Sequence, residues 1–361
     1  MSALDAVLVV LRLAIGCWLL WSLPTLRPRL PVDRRRVSVV VPARDEAGQV
    51  PGLLATIPDG VEVVVVDDGS TDGTAAAARL AGARVVDAGE LPDGWTSGKA
   101  WACRVGAGAT SGEVVVFVDA DVRLAPDALD RVVGLLDARG GLVSVQPWHE
   151  PGAPTEHAAA LFNVVAVAAT DVASPLGRRG GVRGAFGPVL ACRRADLEAV
   201  GGHEVAARRV DDDVALAAAF RAAGHPVTVG AGGEAVSFRM YPGGLGQLVE
   251  GFTKNLAAGV RAARPVTVAL VVVWLTLLVQ AAVAPVRAVL GGSDVLVALA
   301  LYAAVTLQVW WMARQVGRFG FLTALAFPAL LVTFLAVFAR SVVSTLRGGV
   351  SWRGRRLPTR R

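Results

Sequence analysis

Four acidic stretches and one lysine carry the chemistry this sequence offers. EVVVFVDADV places Asp119 and Asp121 on either side of a single alanine, directly after an apolar run. Two carboxylates so spaced at a strand end can hold a divalent cation, Mg2+ or Mn2+, while leaving coordination positions for water and phosphate oxygens. A cation bridging a diphosphate neutralises the charge that develops on a departing nucleotide. Upstream, VEVVVVDDGSTDGT ends a similar run in Asp67 and Asp68, and RVSVVVPARDE ends one in Arg44, Asp45 and Glu46. Downstream, VDDDVAL sets Asp211, Asp212 and Asp213 before an alanine-rich stretch, as a helix cap or as something more. One acidic residue after a strand is ordinarily a cap, but three strand ends presenting polar groups to one edge are harder to explain that way.

The lysine is Lys99, in GWTSGKAWAC. Only it and Lys254 are lysines among the 36 Lys and Arg residues. Codon bias in a GC-rich genome accounts for such a skew; so does a need at these two positions for a compact ammonium instead of a planar guanidinium. A helix is expected from about Ala100, so its N-terminus and the lysine can both face a phosphate. No GxxxxGK[ST] or GxGxxG follows a strand, which excludes phosphate-loop ATPases and dinucleotide oxidoreductases at the motif level.

The elements that must position these groups alternate. Strands are expected at 37–41, 61–66, in RVVDAG and at 113–118, and helices near 46–57, 74–81 and 214–223. That pattern predicts a parallel α/β sheet, whose ligands bind at the carboxyl ends of the strands.

The remainder is too apolar for a purely soluble enzyme: 54% of residues are hydrophobic and the mean hydropathy is +0.53. One apolar block covers 4–26, and three more cover roughly 265–289, 294–313 and 319–343, each about bilayer length. The first lacks a small-residue cleavage site and reads as a retained anchor. RPRLPVDRRR after it places the central segment in the cytoplasm. Three full C-terminal crossings would then leave the basic tail RGGVSWRGRRLPTRR outside, against the same rule. One block is therefore expected to be a re-entrant hairpin or to lie in the interface, with the third, which contains Pro328, the suspect. GGLGQLVEGFTKNLAAGVRA, 243–262, reads as an amphipathic interfacial helix that brings a lipid acceptor to the site. Lys254 on it either snorkels to headgroups or has a specific polar partner.

The net charge of +6 sits largely in these flanks and suits anionic lipid better than nucleic acid. Cys17, Cys103 and Cys192 have no paired spacing, in keeping with a reducing cytoplasm, and His149, His157, His203 and His225 match no zinc signature. His149 and His203 either line the acceptor side or are structural. GVRGAFG, with Gly184 inside it, either lets backbone approach a substrate closely or is a plain loop.

Over about 37–260 the chain resembles the inverting family 2 glycosyltransferases of GT-A fold, on PARDE, VVDDGSTDGT, GWTSGKAWAC, VFVDADV, VGGHE and VDDDVAL in that order. GWTSGKAWAC, SVQPWHE, FRMYPGGLGQLVEGFTKN and SWRGR look like the membrane-bound branch that glycosylates lipids, such as carotenoid-acid glucosyltransferases and hopanoid-associated glycosyltransferases. The resemblance implies that Pro42, Arg44 and Glu46 shape the nucleotide pocket and that Asp67, with Asp68 beside it, contacts the base. It implies that Lys99 meets the diphosphate, that Asp119 lies near the ribose, and that Asp121 is the principal ligand of a divalent metal site shared with Asp119. Asp213 would be the catalytic base, with Asp212 beside it where the family has Glu; Asp211–Asp212 is the alternative register. Asp45 stands where the family often has Asn.

The expectation is thus an α/β GT-A domain, a Rossmann-like and mostly parallel sheet, with one N-terminal and about three C-terminal hydrophobic membrane segments. Its parts would be an anchor over 1–30, a cytoplasmic catalytic domain over 37–242, an interfacial helix over 243–264, membrane segments over 265–346 and a basic tail over 347–361. In the cell membrane it would move a hexose, glucose from UDP-glucose by preference, from a nucleotide-sugar donor to a lipid acceptor such as a carotenoid acid or hopanoid; Lys254, His203 and Gly184 are its acceptor-side candidates. A polyprenyl-phosphate acceptor is the rival enzyme reading, and a catalytically inactive nucleotide-binding scaffold the rival of another class. The oligomeric state stays open.

Overall fold

The computed structural model describes residues 3–209, 211–291, 294–347, 349–352 and 355–358. They form two compact units: Pro24–Trp148 with Gly184–Arg239 and Gly348–Arg361, and Met1–Leu23 with His149–Arg183 and Met240–Arg347. Residues 149–183 thus pack with the helices that flank the sheet in sequence.

The first unit is built on a seven-stranded sheet of β1 (Val37–Ala43), β2 (Glu62–Asp67), β3 (Arg84–Asp87), β4 (Val114–Val118), β5 (Leu142–Gln146), β6 (Val189–Arg193) and β7 (Val227–Ala231). Their spatial order is β3-β2-β1-β4-β6-β5-β7. Every neighbouring pair is parallel except those made by β6, which runs against both β4 and β5. The sheet is mixed α/β and mostly parallel, as expected. Strands β1 and β4 are valine-rich runs buried along nearly their whole length, the signature of strands covered on both faces. Pairing of β1 with β4 stops at Val40 and Phe117, so Pro42 falls where only the β2 side is still paired and its missing N–H is tolerated. The helix Gly98–Ala109 packs onto this centre through Gly106, where a Cβ would run into Val40.

Reversal of β6 changes what reaches the ligand edge. Its N-terminal end comes to the edge where β1, β2 and β4 present their C-terminal ends, and it delivers the preceding loop, 184–188, to that edge.

The second unit is helical: α1 (Ala3–Leu19), α2 (Ala159–Ala169), α3 (Leu245–Ala262), α4 (Pro265–Val289), α5 (Val295–Val316), α6 (Phe321–Leu325) and α7 (Phe327–Leu346). By length and composition α4, α5 and α7 are each able to cross a membrane. The third block is divided at Ala326: α6 ends before it, and Pro328 occupies the first turn of α7, where a missing N–H costs nothing.

Polar contacts tie α1 to α4 and α5. The Gln308 side chain accepts from Trp274 Nε1 at 3.0 Å and donates to the Leu13 carbonyl at 2.6 Å and to Cys17 Sγ at 3.4 Å. Gly16 makes room, because a Cβ there would lie 2.7 Å from both Gln308 Nε2 and Trp274 Nε1. Arg12 donates to Gln280 Oε1 at 2.6 Å, and Gln315 donates to the Leu20 carbonyl at 3.3 Å. α1 therefore runs parallel to α5 and antiparallel to α4. Small residues with hydrogen-bonding side chains are how helices associate where the hydrophobic effect gives no drive.

Candidate active site

Strands β2, β1 and β4 are adjacent and parallel, so their C-terminal residues line one edge. Between β1 and β2 the two loops are joined by backbone-to-side-chain bonds. Asp45 has φ 52°; its Oδ1 accepts from the Thr71 N–H at 2.8 Å, and its own N–H donates to Ser70 Oγ at 2.9 Å. The Glu46 N–H donates to Thr74 Oγ1 at 2.8 Å. Asn and Asp are the residues that enter the left-handed region readily and offer such an acceptor, so Asp45 does here what an asparagine would. Arg44 donates to the Asp68 carbonyl at 3.0 Å and stands 3.7 Å from the Asp68 carboxylate, so these two side chains hold each other. By contrast, Asp67 Oδ1 is buried with no hydrogen-bond partner among the described residues. It is the open acceptor on this side of the edge, with Pro42 one turn of the pleat away on β1.

On the other side stands Lys99. Ser97 caps its helix, accepting from the Ala100 N–H at 3.2 Å, and Trp101 Nε1 donates to the Ala88 carbonyl at 2.7 Å, which fixes the first turn. Lys99 Nζ lies 2.7 Å from Asp119 Oδ1 and donates to Oδ2 at 2.8 Å, with the Gly187 carbonyl at 3.4 Å. Burial alone would lower the pKa of this ammonium; the charges of Asp119 and Asp212 outweigh it and lift the group above its ordinary range. The Asp121 carboxyl is pushed up, first by burial and then by the negative charges of Asp119 and Glu46, with Lys99 opposing. A cation relieves such crowding. Among the described residues no group of three or more His, Cys, Asp or Glu side chains is placed to hold a metal ion. Asp119 and Asp121 alone are enough for an ion that takes its other ligands from phosphate and water, as Mg2+ commonly does.

The three downstream aspartates separate cleanly. Asp211 is held by Arg209 through bonds of 2.6 and 3.0 Å and makes no side-chain cap. Asp212 is buried, 8% exposed. Asp213, in the first turn of the helix Asp212–Ala222, reaches the loop before β6: a Cβ on Gly187 would lie 3.3 Å from its Oδ2 and 3.2 Å from Lys99 Nζ. Its carboxyl is raised by burial and by Asp212, against the pull of Lys99. The Gly187 peptide thus separates an anchored ammonium from a carboxyl raised above the usual carboxylate range.

The remaining candidates are buried or half-buried. His203 is 2% exposed, edge-on to Phe117 at 4.6 Å, and burial pushes its pKa down to about 4; it presents no surface to an acceptor. His149, wholly buried and bonded to Asn163 at 3.0 Å, is likewise pushed down to about 4 by burial. Gly184 is buried at the start of the loop before β6, and Lys254 is half-buried on α3 in the helical unit. Sequence reasoning passes over Ser144 of β5, whose hydroxyl accepts from the Phe186 N–H at 2.6 Å and donates to the Phe186 carbonyl at 3.0 Å, pinning the loop one residue before Gly187. Its only signal is one hydroxyl in the otherwise apolar LVSV.

The chain is similar to known proteins. The family model described as "Glycosyl transferase family 2" matches residues 38–168. A 4,4'-diaponeurosporenoate glycosyltransferase of Staphylococcus aureus (strain USA300) is 34% identical over 371 residues, covering 98% of this chain and 97% of that protein. The protein of the same name from strain MRSA252 is similar to the same extent, 34% over 98% and 97%. Among solved structures, a mannosyltransferase from Pyrobaculum calidifontis in complex with GDP-Man and Mn2+ is 22% identical with a TM-score of 0.48, covering 93% of this chain and 96% of that one.

Proposed function

This chain belongs to glycosyltransferase family 2, and from that premise we propose that it transfers glucose from UDP-glucose to the carboxylate of a carotenoid-type lipid acid, with inversion, at the cytoplasmic face of the cell membrane. What carries the reading is the arrangement about Gly187, with Lys99 on Asp119 to one side and the raised Asp213 carboxyl on the other.

The residues divide the work among them. Asp67, whose buried Oδ1 lacks a partner among the described residues, accepts from the N–H edge of the base, and the loops held by Asp45 and Glu46 shape the pocket around it. Lys99 carries a persistent positive charge to the diphosphate, at a helix N-terminus that adds to it. Asp119 and Asp121 would hold a divalent cation, which when bound would offset negative charge on the leaving diphosphate. An acceptor carboxylate is already ionised and needs no base. Its oxygen attacks the anomeric carbon as the bond to the diphosphate breaks and the electron pair leaves with the nucleotide. Two carboxylates side by side repel, so an Asp213 raised above the usual carboxylate range suits this acceptor: in its protonated form it donates a hydrogen bond that orients the attacking group. With a hydroxyl acceptor the same residue must instead be ionised and take the proton.

The test is incubation of the membrane-reconstituted protein with labelled UDP-glucose and, separately, a carotenoid acid, a hopanoid alcohol and a polyprenyl phosphate. Mass spectrometry is expected to find a glycosyl ester of the carotenoid acid. Label on polyprenyl phosphate alone supports the rival acceptor and overturns this one.

A further inference from the structure

The third apolar block is long enough to cross a membrane, yet the packing of the helical unit does not let it. Three contacts fix the direction of the bundle. Gln315 near the end of α5 bonds to Leu20 at the end of α1. Trp274 of α4 bonds to Gln308 of α5, which sets the start of α4 beside the end of α5. Arg264, immediately before α4, pairs with the fully buried Asp171 at 2.6 Å. The end of α1, the start of α4 and the end of α5 therefore share one face of the bundle. The chain leaves α5 at this face, where Gly317 bridges to His149.

It then descends. The ring of Phe321 lies 5.9 Å from Trp310, and farther down the Tyr302 hydroxyl donates to the Leu325 carbonyl at 2.6 Å, with Phe327 4.9 Å from the Tyr302 ring. Tyr302 stands about 21 Å along the axis from the last residue of α5, roughly two-thirds of a ~30 Å hydrocarbon core. The break between α6 and α7 is thus deep in the bundle. From there α7 climbs: Phe334 packs 5.2 Å from Phe162 of α2, and the Ser341 hydroxyl donates to the Thr253 carbonyl of α3 at 2.6 Å. α3 leads directly into Arg264, so Ser341 is back toward the face from which the chain set out. Arg340, exposed beside it, then meets headgroups instead of hydrocarbon.

We infer that α6 and α7 form a re-entrant hairpin that enters and leaves the bilayer on the same side, its exposed Leu325, Val332, Leu335 and Val343 facing acyl chains. The chain crosses the bilayer with α1, α4 and α5 only. The tail strands Gly349–Trp352 and Arg355–Pro358 belong to the same compact unit as the catalytic sheet, as a returning chain requires. The two tail strands then lie on the side where basic segments are retained. This inference concerns the fold of the membrane part and stands apart from the choice of acceptor.

Spin-label depth measurement tests it on the full chain in phosphatidylcholine–phosphatidylglycerol vesicles, with Cys17→Ala and the buried Cys103 and Cys192 left in place. Labels at Leu325→Cys, Leu335→Cys and Val343→Cys are expected to become steadily shallower in that order. A maximum depth at position 335, with 325 and 343 both near headgroups, means a crossing helix and overturns the hairpin. In sealed vesicles, protease is expected to remove an epitope placed after Arg361 only where it also cuts the catalytic unit. Removal of the epitope with the catalytic unit intact overturns the assignment independently of any label.

Discussion

Lys99 Nζ and Asp213 Oδ2 flank the α-carbon of Gly187, and a methyl group there would lie 3.2 Å from one and 3.3 Å from the other. Neither side chain is free to withdraw, since Lys99 is paired with Asp119 and Asp213 sits in the first turn of its helix. Gly187→Ala is expected to fold normally and to lose several-fold in kcat, because the methyl makes both side chains give by a few tenths of an ångström, where a full ~1 Å displacement at a reacting centre costs up to ~100-fold. Steady-state kinetics beside a thermal melt check it; full activity removes the contact from consideration.

Asp213→Asn separates the two acceptor chemistries. With a carotenoid acid, asparagine still offers an N–H to the attacking carboxylate, and the loss is expected to be about tenfold or less. With a hydroxyl acceptor the missing base is expected to cost ~10²–10⁴. The wild-type rate with a hydroxyl acceptor should also fall on acidification at a pH above the usual carboxylate range, since burial and Asp212 raise the Asp213 pKa.

Lys99→Arg keeps the charge but spreads it over a planar fork in a slot fitted to an ammonium. Its KM for UDP-glucose is expected to rise about tenfold, and Lys99→Met to raise it further while leaving Asp119, Asp121 and Asp212 without their cation. Isothermal titration with UDP measures this directly. Unchanged affinity in the arginine variant would assign the lysine to codon usage.

Chelation is expected to abolish transfer, and Mg2+ or Mn2+ to restore it. Asp121→Asn should shift the metal concentration for half-maximal rate upward by at least tenfold, with the carotenoid acid's KM unmoved.

Acid should unfold the protein through its buried histidines. His149 and His203 titrate near 4 in the folded chain against about 6.5 unfolded, so between those values the unfolded state takes up protons that the folded state refuses. Stability is complete above pH 6.5, falls by about 3 kcal/mol per histidine as pH drops to 4, and levels below it. His203→Phe should flatten part of that slope in a melt series from pH 7 to pH 4.5.

Much of the sheet and its edge is legible from residue types. Valine runs ending in carboxylates locate β1, β2 and β4, because a strand buried on both faces has no other composition open to it and its polar residues collect where the chain leaves the core. The spacing of Asp119 and Asp121 and the rarity of lysine point to the edge they share. What stays hidden depends on contacts between distant segments. Nothing local says that VLACR runs backwards in the sheet, yet that reversal brings Gly187 to Lys99. The triple aspartate cannot be resolved by sequence, since its members are told apart by the pairing of Arg209 with Asp211, the burial of Asp212 and the approach of Asp213 to Gly187. Pro328 suggests a break in a helix and proves to be its beginning, an ambiguity proline always carries because the same ring that ends one helix opens another.

The bonds that Gln308 makes to Trp274, Leu13 and Cys17 have a consequence for how such enzymes are inherited and handled. The first helix is no interchangeable tether. A chain begun after Leu23, or given the leading helix of an unrelated membrane protein, strands an amide in lipid at a cost of ~1–2 kcal/mol. A borrowed helix also puts a larger side chain where Gly16 admits two neighbours. The two ends of the polypeptide are thus bound to change together, and recombination between homologues is safest where it keeps both from one parent.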